Sequence, residues 1–139
     1  MAETEDTQEF LKQGNVAILA TVDAKGRPHA APIWYLYEDG VFVMSTGVGS
    51  QKHKNIERNR EVALVIDRRT VPYFAVTVRG RAELGPAFSA EKRSEMAHRY
   101  LTPEQARRYL EQAPADGSVS IRLTPRKLIE FRGRAGRAS

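Results

Sequence analysis

The sequence predicts a mainly β domain in which about six antiparallel strands form a small closed or nearly closed barrel, with four short helices around it. Two observations favour this fold class. Short segments rich in apolar and β-branched residues alternate with tight-turn signals. The first three of these segments follow one another without the helical crossovers of a βαβ unit, and the helical segments come as insertions. Barrel closure is expected because it removes exposed strand edges.

Length and composition indicate one globular domain. The chain has 139 residues and a mass of 15.6 kDa. A domain of that size buries roughly two thirds of its unfolded surface and needs no cross-links. The hydrophobic fraction of 41% and the charged fraction of 28% argue against disorder. We therefore expect a single domain over residues 1–139, with frayed tails at 1–6 and 132–139.

The composition also excludes several kinds of chemistry. The chain has no cysteine, so a disulfide, a thiolate nucleophile and a cysteine-ligated zinc ion are all excluded. A metal site is not expected, because the histidines are scattered at His29, His53 and His98. No apolar run approaches the ~20 residues that span a bilayer. The acidic first residues, MAETEDTQEF, are unlike a secretory signal or a transit peptide, so we expect a cytoplasmic protein.

The net charge of +5 predicts an affinity for anions. Much of the excess lies near the C-terminus, where residues 126–137 contain five arginines and lysines and one glutamate. Nucleic-acid binding would need aromatic side chains interleaved with basic ones on an exposed sheet face. Aromatic residues make up 8% of the chain, and most occur at apolar-periodic positions. We therefore expect a small-molecule substrate, and neither a nucleic acid nor a membrane as partner.

The first half of the chain reads as a helix followed by a β-meander. The helix is predicted over 7–13, capped by Asp6, ended by a left-handed Gly14, and facing the core with Phe10 and Leu11. The first three strands are predicted over residues 15–23, 27–37 and 41–46. The second strand contains two prolines, which remove ladder donors, so we expect it at an edge or with a bulge.

The second half alternates strands with helical insertions. Helices are predicted over 50–59, 89–100 and 103–112, and strands over 61–67, 73–83 and 118–124. Whether the last strand continues past Pro125 over 127–131 is left open. Thr102, Pro103 and Gln105 form a strong helix start, with a capping box and a proline in the first turn.

The sequence lacks the usual catalytic motifs. It contains neither a G-x-S-x-G nucleophile elbow nor a P-loop. Gly47-Val48-Gly49 begins like a dinucleotide-binding motif, but Lys52 occupies the position of its third glycine. The catalytic residues are therefore unknown, and an enzyme of this kind would depend on a cofactor.

The segment 44–55 carries the clearest chemical signal. It passes from a strand end through a glycine-containing loop to the start of a helix, where unpaired N–H groups and the helix dipole attract an anion. Ser45, Thr46 and Ser50 add hydroxyl groups, and Lys52 adds positive charge. A phosphate site is one interpretation, and an ordinary solvated basic helix is the other. His53, further along this helix, is expected to face solvent.

Three stretches in this order resemble one superfamily: GRPHAAPIWY, VFVMSTGVGSQKHKNIERNREVALVID and VTVRGRAEL. The sequence is similar to the flavin/deazaflavin split-barrel superfamily, which includes pyridoxamine 5′-phosphate oxidase, and more closely to the F420-dependent reductases of its FDOR-B branch. The resemblance covers roughly residues 10–131. It implies a six-stranded antiparallel split β-barrel that forms a homodimer, with each cofactor site built from both chains.

The resemblance also assigns residues to the cofactor ring. In relatives, one strand lies against the tricyclic ring, and its counterparts here are Pro32, Ile33 and Trp34. His29 begins the same strand at the place of a polar ring contact. The alternatives are that Trp34 is a core or interface aromatic and that His29 is an exposed turn residue.

A second group corresponds to the contacts with the ribityl chain and phosphate in relatives. Ser45 and Thr46 end the strand beside that chain. Ser50, Gln51 and Lys52 match the basic phosphate clamp. Relatives commonly have arginine where Gln51 stands, so the clamp of this chain has one charge fewer.

Two further groups complete the implied site. Asn55 and Ile56 match an asparagine–aliphatic pair on the helix. A strand that reaches the cofactor from the partner subunit in relatives matches Tyr73, Phe74, Ala75 and Val76. A purely structural role is the alternative for Tyr73 and Phe74.

The resemblance implies an oxidoreductase that uses coenzyme F420 to transfer a hydride to an unsaturated or conjugated organic substrate. FMN in the same groove, as in pyridoxamine-phosphate-oxidase-like proteins, is the alternative, because a phosphate clamp does not distinguish the two cofactors. A non-catalytic flavin- or haem-binding module is a third interpretation. The accompanying proton would come from solvent or from a tyrosine such as Tyr73.

Overall fold

The computed structural model describes residues 6–112 and 117–133, and it shows an antiparallel sheet with four helices in these ranges. The predicted fold class is confirmed, but the sheet has seven strands rather than six. The strands are β1 Ala17–Val22, β2 Pro28–Ile33, β3 Leu36–Glu38, β4 Val41–Gly47, β5 Glu61–Arg68, β6 Phe74–Gly85 and β7 Ser118–Arg132. The helices are α1 Thr7–Leu11, α2 Gln51–Arg58, α3 Ala90–Tyr100 and α4 Pro103–Gln112.

The strand order shows how the sheet closes. Neighbouring strands run β2-β1-β5-β6-β7-β4-β3, so β2 and β3 lie at its two edges. In the chain these two strands are separated by Trp34 and Tyr35 alone. A link of this length spans roughly 10 Å at most, so the end of β2 and the start of β3 must lie close together. The sheet therefore curls into a nearly closed barrel, with a seam at Trp34–Tyr35.

The extra strand arises because the predicted strand 27–37 is broken in two. Its first part pairs with β1 and its second part with β4, so both predicted hairpins form. They lie at opposite edges of the sheet rather than in one continuous three-strand meander. The backbone N–H of Tyr35 donates to the Tyr100 hydroxyl at 3.0 Å instead of to a neighbouring strand. That hydroxyl also lies within hydrogen-bond distance of the carbonyls of Asn15 and Tyr35, at 3.0 and 3.1 Å. A side chain of α3 thus takes over the backbone groups at the break.

The last strand continues past Pro125, which the sequence alone left open. It is continuous over Ser118–Arg132, and it pairs with β6 from Ser120 to Arg132. The register shifts by one residue at Gly80, where Arg126 is the extra residue of a bulge, and this lets the strand pass Pro125. The two backbones are very close there, since a Cβ on Gly80 would lie 2.2 Å from the carbonyl oxygen of Thr124.

The core consists of the inward-facing side chains of the strands, with α1 and α2 covering part of the barrel. Phe10 and Leu11 are fully buried, as predicted. Tyr35 is also fully buried, and its hydroxyl donates to the carbonyl of Leu11 at 2.8 Å. This bond ties the N-terminal helix to the seam. Burying a large apolar side chain contributes roughly 1.5–3 kcal/mol, so the seam also carries part of the core's stability.

The helix starts are confirmed, but the end of α1 is not as predicted. Asp6 and Ser50 cap α1 and α2, and Thr102 and Gln105 exchange both bonds of a capping box. The first helix ends at Leu11, and Gly14 is not among the left-handed glycines. A Cβ on Gly14 would instead lie 3.1 Å from the carbonyl oxygen of Arg99, so this glycine permits close packing against α3.

The expected frayed tails fall mostly outside the described residues. Within the described ranges, Asp6 caps α1 and Arg132 pairs with Phe74 at the end of β7. None of the described helices has the length and apolar character needed to cross a membrane.

Candidate functional site

The candidate site is a cavity of about 480 Å³ beside the seam. Its walls come from the end of β2, the end of β4, the start of α2, and helices α3 and α4. This volume lies within the range of small-molecule sites. The sequence predicted six of the lining residues: Pro32, Ile33, Trp34, Ser45, Thr46 and Lys52.

One side of the cavity, here called the polar side, consists of Ser45, Thr46, Gly47, Lys52 and Ser118. The first three end β4, and Lys52 lies in the first turn of α2. Ser50 does not line the cavity. Its hydroxyl lies 3.0 Å from that of Thr46 and accepts a bond from the N–H of His53 at 3.2 Å. Ser50 therefore caps the helix and orients Thr46.

The loop offers fewer free amides than the sequence predicted. The N–H groups of Val48, Gly49 and Ser50 donate to Gly117 O, His53 Nδ1 and Gly47 O, at 2.9, 2.9 and 3.1 Å. His53 was expected in solvent, but its side chain is 14% exposed and holds the loop. No hydrogen bond to described residues is seen for the N–H groups of Gln51 and Lys52. These first-turn amides remain for an anion.

Several predicted contacts instead fix α2 to the barrel. The Gln51 side-chain amide donates to Asn55 at 2.7 Å, and the Asn55 amide donates to the Thr21 hydroxyl at 2.9 Å. Asn55 and Ile56 are 2% and 0% exposed. His29 pairs with Thr21 across β1 and β2, and its Nδ1 is buried without a partner in the described structure. These four predicted residues do not line the cavity.

Trp34 forms the wall at the seam. Its ring stacks on Tyr100 with centroids 4.8 Å apart and planes 4° apart, and it meets Tyr109 at 5.6 Å. Burial raises the pKa of Tyr100, so its hydroxyl stays protonated and keeps its bonds at the seam. Trp34 is thus both a packed aromatic and a cavity wall.

The group expected to reach a partner's cofactor lies at the start of β6, away from the cavity. Phe74 and Val76 face their own core, where Phe74 meets Phe10 with ring centroids 4.6 Å apart. Tyr73 is 50% exposed, and Ala75 is partly exposed on the outside of the sheet. Within this group, Tyr73 and Ala75 are the members that a second subunit could contact.

Sequence reasoning missed the side of the cavity that faces the last two helices. This side, here called the helical wall, consists of Phe88, Arg93, Met96 and Tyr109. Val16 also lines the cavity and was not predicted. The helices themselves were predicted, but nothing in their sequence indicated that they fold back over the seam.

The described residues contain no cluster of three or more metal-ligating side chains. The family model described as pyridoxamine 5′-phosphate oxidase matches residues 3–137. The chain therefore belongs to this family, within the flavin/deazaflavin split-barrel superfamily.

Solved structures give the same result for the fold. An F420 reductase is 22% identical, with a TM-score of 0.73 over 91% of this chain and 98% of that one. A conserved hypothetical protein from Mycobacterium tuberculosis is 22% identical, with a TM-score of 0.74 over 98% and 92%. The haem storage protein HutZ from Vibrio cholerae is 20% identical, with a TM-score of 0.68 over 93% of both chains. No curated protein matches the sequence significantly.

Proposed function

We propose that this protein is a homodimeric oxidoreductase that uses coenzyme F420 to reduce an unsaturated or conjugated organic substrate. The observation that carries the proposal is the cavity itself. It joins a polar side suited to a phosphate to an apolar wall suited to a flat heterocycle, at the place where the family resemblance implies the cofactor. The similarity to an F420 reductase supports this choice of cofactor.

The polar side fits a phosphate group, although the fit rests on few donors. Ser45 and Thr46 supply hydroxyls, Lys52 supplies positive charge, and the first-turn amides of α2 remain available. Gln51 is neutral, and its side-chain amide is already bonded to Asn55. We therefore assign the phosphate of the cofactor to Lys52 and the two hydroxyls, with help from the helix dipole.

The apolar side fits a flat ring. It is formed by the end of β2 and the residue after it, namely Pro32, Ile33 and Trp34. Pro32 has no N–H to donate to a neighbouring strand, and the ring of Trp34 is held in place by stacking on Tyr100. When bound, reduced F420 supplies a hydride from its deazaflavin carbon. The protein's own contribution is orientation of the ring and substrate and exclusion of water. Tyr73 lies outside the cavity lining, so solvent is the proton source that we propose.

A homodimer is supported by the outer face of the sheet. Register pairs place one row of outward side chains across five strands: Pro32, Ile18, Val65, Thr77 and Ile129. Phe131 extends this largely apolar surface and is 60% exposed. Exposed apolar surface of this kind is typical of an interface between subunits. We propose that two copies meet across it, and sedimentation velocity should then give the mass of a dimer.

Titration with F420 tests the proposed function. We expect saturable binding at micromolar cofactor. Binding is measured by the quenching of the fluorescence of Trp34, which is the single tryptophan of the chain. Lys52→Gln should raise the Kd about tenfold, because a charge-assisted contact to phosphate is lost. Lys54→Gln makes the same charge change outside the cavity lining and should change the Kd less than twofold. Absence of saturable binding to the parent protein would overturn the proposal.

FMN is the second candidate, since the same polar side would hold its phosphate. A purified protein that is yellow and releases FMN on denaturation would favour FMN over F420. Haem is less well supported by the cavity, because none of the three histidines is among its lining residues.

A further inference from the structure

Tyr109 is the only tyrosine among the described residues that line the cavity. It lies on α4 and is 42% exposed. The hydroxyls of Tyr35, Tyr37 and Tyr100 donate to protein oxygens at 2.8, 2.9 and 3.0 Å. No hydrogen bond to a described residue is seen for the Tyr109 hydroxyl. This hydroxyl is therefore available to water or to a ligand in the cavity.

The position of Tyr109 places it beside the proposed cofactor ring. Its ring centroid lies 5.6 Å from that of Trp34, with the planes inclined at 49°, so the two rings form one continuous aromatic surface. The cofactor ring is assigned to the strand end at Trp34, and a substrate that accepts a hydride must lie in contact with that ring. Phe88 and Met96 add apolar surface around Tyr109. The helical wall is therefore the side of the cavity suited to a substrate.

The side chain of Tyr109 offers two means of recognition. Its ring provides apolar surface for a flat conjugated molecule. Its hydroxyl can donate a hydrogen bond to an acceptor on the edge of that molecule. The net gain from such a bond is modest, because both groups give up hydrogen bonds to water. Loss of the bond should therefore weaken binding about fivefold, and loss of the ring should weaken it further.

We propose that Tyr109 is a specificity-determining residue, and that it selects a flat conjugated substrate with an uncharged hydrogen-bond acceptor on its edge. A ketone oxygen and a ring nitrogen are acceptors of this kind. The proposal rests on the proposed function, because it assigns the polar side of the same cavity to the cofactor phosphate. Tyr109 acts in substrate binding and takes no part in holding the phosphate.

A matched pair of probes tests this assignment in the full-length protein. Quinoline and naphthalene are flat molecules of nearly the same shape, and the ring nitrogen of quinoline is the one acceptor that distinguishes them. The Kd of each is measured by calorimetry, with and without oxidised F420. Tyr109→Phe should raise the Kd for quinoline about fivefold and that for naphthalene less than twofold. Tyr109→Leu, which also removes the ring, should raise both about tenfold.

The control is Tyr37→Phe, which removes a tyrosine hydroxyl bonded to Gln8, outside the cavity lining. It should leave both Kd values unchanged. A Tyr109→Phe variant that binds quinoline as the parent does, or that weakens both probes equally, would overturn the hydrogen bond. A parent protein that binds neither probe would overturn the substrate side. Failure of F420 to bind the parent would instead overturn the proposed function, and the probes without F420 are measured separately from it.

Discussion

The two sides of the cavity are held in place by hydrogen bonds of very different sequence range. On the polar side, Ser50 contacts Thr46 and His53, and His53 contacts Gly49, all within four residues. At the seam beside the helical wall, Tyr100 bonds to Tyr35 and Asn15, which are 65 and 85 residues away. Most contacts of the polar side are therefore local, and Ser118 and the bond from Val48 to Gly117 are its links to the start of β7. The opposite wall depends on the complete fold.

The largest effect is expected where the distant contacts meet. Tyr100→Phe leaves the N–H of Tyr35 and the carbonyl of Asn15 without their shared partner. Each buried unsatisfied group costs about 1–3 kcal/mol, so we expect the free energy of unfolding to fall by about 3 kcal/mol. Urea denaturation measures this loss.

Trp34 emission in the folded variant should also shift, because its stacking partner is less firmly held. A variant that keeps both the stability and the emission of the parent would show that the seam does not depend on the hydroxyl.

The same difference in range explains what the sequence could predict. The strand end, hydroxyls and helix start between Ser45 and Lys52 are a contiguous motif, and the structure places most of it as expected. The break at Tyr35 depends on a tyrosine 65 residues later, which no local pattern indicates. Arg93 and Tyr109 join the cavity only because α3 and α4 fold back over the seam. Tertiary contacts of this kind produce both the seventh strand and the helical wall, and the sequence predicted neither.

A medium effect is expected from alkaline pH. Burial raises the pKa of Tyr35, which is fully buried, above the value of about 10 for an unfolded tyrosine. A raised folded pKa gives stability that is complete below pH 10 and is lost as the pH rises above it. Between pH 9 and pH 11, the titration of this tyrosine should lower the free energy of unfolding by about 1.4 kcal/mol.

Denaturation curves across this range measure the loss. Tyr35→Phe should make the pH dependence less steep, and Tyr100, whose pKa burial also raises, should account for what remains. The variant is also less stable at neutral pH because it lacks the bond to Leu11. An equally steep decline in the variant would contradict the assignment to Tyr35.

The smallest effect distinguishes the two sides directly. Ser50 and Ser89 cap α2 and α3 with the same bond, to an N–H three residues later. Replacing either with alanine should lower the unfolding free energy by about 1 kcal/mol. Ser50→Ala should also raise the Kd for F420, since Thr46 loses its neighbour, while Ser89→Ala should not. Equal effects on the Kd would mean that capping alone, rather than the hydroxyl pair, matters for the polar side.

The seam at Trp34–Tyr35 has a consequence for how the barrel assembles. Joining the two ends of a sheet usually means ordering a long loop, and the entropy of that step grows with loop length. Here both ends belong to hairpins that adjoin in the chain, β1–β2 and β3–β4. Once these hairpins form, their outer strands are already neighbours, and bringing them together adds almost no loop entropy.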